Sequence, residues 1–279
     1  MKEEAVKKVV RDGYSRIAKQ ESSCCGPASI CSGTTGLQKT VSKAIGYNDE
    51  ELGAVPAGAN LGLGCGNPVA FASLKEGETV LDLGSGAGFD CFLAADRVGS
   101  KGKVIGVDMT PEMIEKAREN AAKGNYTNVE FRLGEIENLP VVDNSVDIVI
   151  SNCVINLAPD KGKVFKEACR ALTPGGRLMI SDIVLLEELP DFIKNSVEAY
   201  IGCISGAIIR DEYIETVKGT GFEEVKIVDE AAFPIESMAN DPTAQAIIKD
   251  LRIPAEEVKK IGSSIVSIKV CGVKPEEVV

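Results

Sequence analysis

The residues best suited to chemistry begin with two acids around a glycine turn. Val80-Leu81-Asp82-Leu83 reads as a buried strand that runs into Gly84-Ser85-Gly86-Ala87-Gly88, and Phe89, Phe92 and Leu93 mark the apolar stripe of a following helix. Such a turn leaves backbone N–H groups free at a helix N-terminus and lets a ligand approach the main chain. By itself it admits a dinucleotide site, a nucleoside site or a plain tight loop. The spacing is G-x-G-x-G, not the G-x-G-x-x-G that seats a pyrophosphate. Asp82, two residues before the first glycine, would repel phosphate and suits a ligand with a cationic end. A second short strand, 103–108, ends on Asp108, 20 residues after Gly88. A carboxylate there can accept from both hydroxyls of a ribose.

Thiols form the other set. The chain has nine cysteines and no histidine. That composition excludes histidine bases, histidine-containing zinc sites and Ser-His or Cys-His dyads. Cys91, Cys169 and Cys271 fall within regular elements and read as small buried hydrophobes. Cys65 lies in the glycine-rich loop 57–68, placed to pass over a ligand. Cys153 ends the strand 145–150, on the edge where open α/β sheets bind ligands. Cys203 sits within Ile201-Gly202-Cys203-Ile204-Ser205-Gly206-Ala207, in an insertion that would cover that edge. Three thiols around one rim suit a soft, thiophilic centre. No C-x-x-C occurs, which argues against structural zinc. Cys24 and Cys25 are adjacent, with Cα atoms about 3.8 Å apart, closer than the roughly 4.4–6.8 Å that disulfides prefer. One of them could reach a distant cysteine such as Cys65, or both could be exposed thiols in a loop.

These residues need elements to hold them. Residues 1–20 read as an amphipathic helix, 21–40 as a loop and 41–55 as a short helix that Asn48 or Asp49 caps. Strands at 79–83, 103–108, 128–133, 145–150 and 177–185 alternate with helices at 89–98, 160–172 and one entered by Thr110 and Pro111. Thr173-Pro174-Gly175-Gly176 reads as a turn. A helical insertion spans about 190–208, followed by helix 211–219 and strand 222–229. Helices near 241–252 and 254–261 precede a last alternating strand, Ile265 to Val273. The alternation implies a parallel sheet with helices on both faces. The expected organisation is an N-terminal part, 1–72, on a core, 73–230, with a covering insertion at 186–210 and a C-terminal addition, 231–279.

A chain of 279 residues with net charge −11 lacks the basic face that nucleic acid requires. No membrane span or secretion leader is legible, so the expected compartment is the cytoplasm.

The acid–glycine–acid pattern, from about Glu78 to Asp229, resembles the class I S-adenosylmethionine (SAM)-dependent methyltransferases. SAM carries an ammonium and a sulfonium and no phosphate. The resemblance implies a Rossmann-like, doubly wound α/β sheet, mostly parallel with an antiparallel last strand. With its placed cysteines the chain more narrowly resembles the arsenite methyltransferases, from about Val9 to Lys274. The stretches that carry this are Ser23-Cys24-Cys25-Gly26, Leu61 to Pro68, Asp82 to Asp90, Gly134 to Glu137, Ser151 to Leu157 and Gly202 to Ala207. Tyr200 departs from the tryptophan expected near that position.

The resemblance implies that Cys153 and Cys203 bind trivalent arsenic with Cys65 as a further thiol. Cys24 or Cys25 would be a fourth thiol that exchanges disulfides with Cys65. In the cofactor site Gly84, Ser85, Gly86 and Gly88 form the turn, Asp82 holds the ammonium and Asp108 the ribose. Met109 lies beside the adenine, Glu135 or Ile136 meets its edge, and Asn152 neighbours the methionine part. The acceptor is a lone pair on arsenic, so the roughly 10²–10⁴-fold that a general base contributes is not needed, which fits a chain without histidine. Expected partners are arsenite or its thiol conjugates and a thiol reductant such as thioredoxin or glutathione. The rival readings are a methyltransferase for a small organic acceptor (a quinone or a thiol) and a non-catalytic, thiol-based metalloid-binding or sensing protein.

Overall fold

The computed structural model describes residues 3–20, 34–233 and 261–276. The N-terminal segment holds α1 (Glu3–Gln20), α2 (Thr34–Ala44), α3 (Asp49–Ala54) and α4 (Pro68–Phe71). The expected single helix over 41–55 is two helices, because Gly46 breaks it with a φ of 109°. Asn48 caps the second in a full capping box with Glu51.

The core alternates β1 (Thr79–Leu83), α5 (Phe89–Val98), β2 (Lys103–Asp108), α6 (Pro111–Gly124), β3 (Val129–Leu133), β4 (Val146–Asn152), α7 (Lys161–Ala171) and β5 (Leu172–Leu185). The expected turn at Thr173–Gly176 is part of β5, whose pairing with β4 shifts register there. Thr110 stands at the N-cap of α6, but its side chain makes no capping bond. After β5 come the short helices α8 (Asp191–Lys194) and α9 (Val197–Ile201), then α10 (Arg210–Lys218), β6 (Glu223–Ala232) and β7 (Ile265–Val273).

The seven strands form one sheet in the order β3-β2-β1-β4-β5-β7-β6. The first five are mutually parallel, and β7 runs antiparallel between β5 and β6. This is the doubly wound α/β sheet expected from the sequence. Strand order reverses between β1 and β4, and a ligand cleft opens at such a switch point, beyond the carboxyl ends of the strands. One apolar cluster joins Leu83, Phe165, Ile180 and Tyr213 and another joins Val80, Phe92, Ile114 and Ile150. A third holds Cys65, Cys153 and Cys203 together with Val10, Ile183 and Ala199. The expected helix at 241–252 falls outside the described residues, as does all of that at 254–261 except residue 261, which is helical, and as do Cys24, Cys25 and Cys31.

Candidate active site

The cleft at the switch point is lined by the β1–α5 turn, the end of β2, the glycine loop, the β4 exit, α1 and the α9 turn. The three glycines of the turn all have positive φ, at 70°, 52° and 95°, but they do different work. A Cβ on Gly84 would lie 2.4 Å from Val154 Cγ2 and one on Gly88 would lie 2.8 Å from Phe131 Cζ, whereas one on Gly86 would meet nothing within 4 Å. Gly84 and Gly88 therefore serve packing, and Gly88 is outside the cleft lining. Gly86 is the position where the backbone is open to a ligand.

Asp108 fixes this turn from β2. One carboxylate oxygen accepts from the Gly86 N–H at 3.0 Å and the other from the Thr110 N–H at 2.8 Å. Burial raises its pKa against these hydrogen bonds. Asp82 is buried and accepts from the Cys91 thiol at 3.2 Å, so Cys91 is more than the small hydrophobe expected. Asp90, on the first turn of α5, accepts from Tyr47 Oη at 2.6 Å and from Asn152 Nδ2 at 3.0 Å. Burial pushes Asp90 up to about 6 and Asp82 well above the carboxylate range, with Asp90 adding to the latter. Neither has an ion-pair partner among the described residues, and Ser85 Oγ is buried there without a hydrogen bond. A buried acidic pair beside an orphaned hydroxyl calls for a cationic, hydrogen-bonding ligand.

Met109 and Ile136 line the cleft. Glu135 instead turns to Lys7 of α1, 2.8 Å away, and Glu137 takes the lining position. Asn152 lines the cleft while its amide serves the glycine loop: Oδ1 accepts from Cys65 N at 3.0 Å, and Nδ2 donates to Gly66 O at 2.8 Å.

Cys153 and Cys203 line the same cleft, and Cys65 shares their apolar cluster. Cys153 follows β4 directly, with φ 57°, and its N–H donates to Ser181 O at 2.8 Å. Cys203 has φ 64°, and its thiol donates to the Cys153 carbonyl at 2.8 Å. A left-handed backbone costs a non-glycine residue about 1–2 kcal/mol, and its occurrence at both thiols points to a functional constraint. Cys65 is buried, with its sulfur 3.8 Å from Ser181 Oγ. The sulfurs of Cys65 and Cys153 and a carboxylate oxygen of Asp182 lie within 4.8 Å of one another. Hydrogen bonding to Cys203 and Cys65, with burial, holds the Cys153 thiol well above its ordinary range, so this thiol keeps its proton. A thiophilic trivalent centre would displace it.

Sequence reasoning missed Asp182. Its place at the carboxyl end of β5 was the available signal. Asp182 is fully buried and accepts from Asn156 Nδ2 and the Ile183 N–H, each at 2.9 Å, and from Tyr213 Oη at 3.0 Å. Burial pushes it from 3.8 up to about 7, against these bonds and the nearby Lys161. The folded chain then holds a proton through that window that the unfolded chain releases. Stability from this group therefore falls as pH rises from 3.8 toward about 7, and the cost is complete above that. Asp182→Asn is expected to flatten this slope. Urea midpoints at pH 5 and pH 8 check it, and an unchanged difference between the two would contradict it.

A methyltransferase-domain family model matches residues 74–232. An arsenite methyltransferase of Halobacterium salinarum is 51% identical over 232 residues, covering 80% of this chain and 59% of the relative. Another, from Aquipseudomonas alcaligenes, is 39% identical over 63% of this chain and 52% of the relative. The chain thus spans between half and three fifths of the length of these relatives. Among solved structures, an arsenic(III) S-adenosylmethionine methyltransferase from Chlamydomonas reinhardtii is 31% identical with a TM-score of 0.63, covering 86% of this chain and 75% of that one.

Proposed function

The chain belongs to the arsenite methyltransferases, a SAM-dependent family of the class I fold, and on that premise we propose that it methylates trivalent arsenic held by Cys65, Cys153 and Cys203. The observation that carries this reading is that Cys153 and Cys203, both on left-handed backbone, line the cleft that also holds the glycine turn, with the Cys65 sulfur within 4.8 Å of that of Cys153. When bound, SAM supplies an electrophilic methyl group on a cationic sulfur. Asp82 and Asp90 offer that cationic ligand its counter-charge, Gly86 gives it access to the backbone and Asp108 receives its ribose. Thiolates of the three cysteines enrich the arsenic lone pair, and the scaffold aligns it with the methyl.

Gaining a methyl takes arsenic formally from +3 to +5. Two thiols closing to a disulfide, Cys65 with Cys24 or Cys25, return the two electrons. An external thiol reductant, glutathione or a dithiol protein such as thioredoxin, reopens it by exchange. The products are mono- and dimethylated arsenic, and the role is detoxification. The chemistry needs free thiols, which a reducing cytoplasm maintains.

The glycines give a test of the cofactor assignment. Gly86→Ala is expected to weaken SAM binding about tenfold or more while changing melting by only the left-handed backbone cost, since its Cβ meets no protein atom within 4 Å. Gly88→Ala clashes with Phe131 and Phe92 and is expected to lower the melting temperature further. Calorimetric SAM binding and thermal melts of the two variants check the order.

Incubation with SAM, arsenite and a thiol reductant, followed by separation of arsenic species, tests the function itself. Methylated arsenic is expected. Unmodified arsenite from a chain that binds SAM would overturn the reading in favour of an organic acceptor. Arsenite binding with no SAM binding would leave a metalloid sensor.

A further inference from the structure

The N-terminal helix α1 is a wall of the cleft. Lys7, Val10, Tyr14 and Ile17, on one helical stripe, all line it. Both ends are fastened to the core. Lys7 pairs with Glu135 at 2.8 Å and Glu137 at 3.2 Å, and Ser15 and Lys19 each reach Glu112 at 2.7 Å. Between these anchors Gly13 lets α1 lie close to α9: a Cβ there would stand 3.0 Å from Ile201 Cδ1. A glycine inside a helix is unfavourable, and this approach is what it permits.

The approach delivers Tyr14 to the junction of the two half-sites. Its hydroxyl donates to Ile201 O at 3.4 Å. The thiols of Cys203 and Cys153 and the carboxylate of Asp108 are its electrostatic neighbours, and burial and these groups raise its pKa well above 10.0. It therefore stays a neutral phenol. Its ring packs against the apolar cluster that holds Cys65, Cys153 and Cys203. One side chain thus touches the surroundings of both the ribose acid and the arsenic thiols.

We propose that Tyr14 is a catalytic residue of methyl transfer, its phenol oxygen facing the methyl group between Asp108 and the thiols while its ring excludes water from that gap. The proposal rests on the function proposed above. With the hydroxyl proton directed to Ile201 O or to the Cys203 sulfur, the oxygen lone pairs are left for the electron-poor C–H bonds of a methyl on a cationic sulfur, a weak but directional contact. Without the ring, water would enter between nucleophile and electrophile.

Tyr14→Phe keeps the ring and removes only this oxygen. Its kcat for arsenite methylation is expected to fall about tenfold or more, while calorimetric Kd values for SAM and arsenite stay within about threefold of those of the unaltered chain. A second readout needs no cofactor. The chain has five tyrosines and no tryptophan, so its ultraviolet emission is tyrosine emission. Arsenite titrated alone should change that emission, and Tyr14→Phe should lose part of the change. A kcat within about twofold of the unaltered chain overturns the proposal, as does an undiminished emission response. A loss confined to SAM affinity also overturns it, by making Tyr14 a binding wall only. If the unaltered chain leaves arsenite unmethylated, the function itself has failed and the proposal falls with it, an outcome distinct from a defect seen only in the variant.

Discussion

Replacing Cys153 with serine is expected to reduce arsenite methylation by more than the roughly 10–100-fold that losing an outer-shell partner costs a metal site, on the order of 10³-fold. Serine presents a hard oxygen that stays protonated at neutral pH, where arsenic prefers a soft thiolate. Cys153 is central to the cluster: its carbonyl accepts from Cys203, and its sulfur lies within 4.8 Å of that of Cys65. The fold should survive. Serine keeps the same Cβ at the left-handed φ of 57°, and the backbone bond to Ser181 O is untouched. SAM affinity should be unchanged, because the substitution alters no side chain assigned to that ligand and leaves the neighbouring Asn152 amide bonded to Cys65 N, Gly66 O and Asp90. Cys203→Ser should lose activity similarly, although its hydroxyl can still donate to the Cys153 carbonyl. Arsenic speciation after turnover, with calorimetric binding of arsenite and SAM, separates the effects. Retention of more than about a tenth of the methylation rate by Cys153→Ser would mean that this thiol does not hold the arsenic.

The residues that could be read ahead share a physical reason. Leu81, Leu83 and the glycines after them combine a buried-strand pattern with a local turn signal, so β1 and its turn follow from neighbours in the chain. Cys153 was readable as a rim residue because strand ends in a doubly wound sheet are functional by topology. The cap was readable as Asn48 or Asp49 because capping joins residues only three apart in the chain, and Asn48 is the one that caps. What escaped depends on distant partners. Asp182 is distinguished by Tyr213, 31 residues away, and by thiols from two other loops. Glu135 is placed by a lysine 128 residues earlier. Tyr14 did not stand out on its amphipathic helix, because nothing local says that Gly13 will meet Ile201. Even β7, whose alternation was plain, gave no sign that it would enter between β5 and β6.

Gly66→Ala is expected to damage the site through a contact of this long-range kind. An added Cβ would lie 1.9 Å from Ser181 Oγ, 3.0 Å from Ser181 Cβ and 3.2 Å from Lys269 Cε. The loop has little room to yield. Asn152 holds Cys65 N and Gly66 O, and the Cys65 carbonyl accepts from Ser267 Oγ at 2.6 Å. The methyl group must push the loop off β5 and carry Cys65 with it. Overpacking of this kind costs about 1–3 kcal/mol in stability, and a displacement near 1 Å can cost about 10²-fold in rate. Gly66 has no left-handed backbone to strain, so the defect is steric alone. Ser181→Gly in the same chain removes both serine contacts and leaves only the flexible lysine end. The double variant should therefore melt higher than Gly66→Ala and recover part of the arsenite methylation. Melting temperature and first-methylation rate across the four chains of this cycle isolate the coupling. Additive losses would show that the loop reaches its place on β5 by other contacts, and a Gly66→Ala chain as active as its parent would mean that the position of Cys65 does not limit the chemistry.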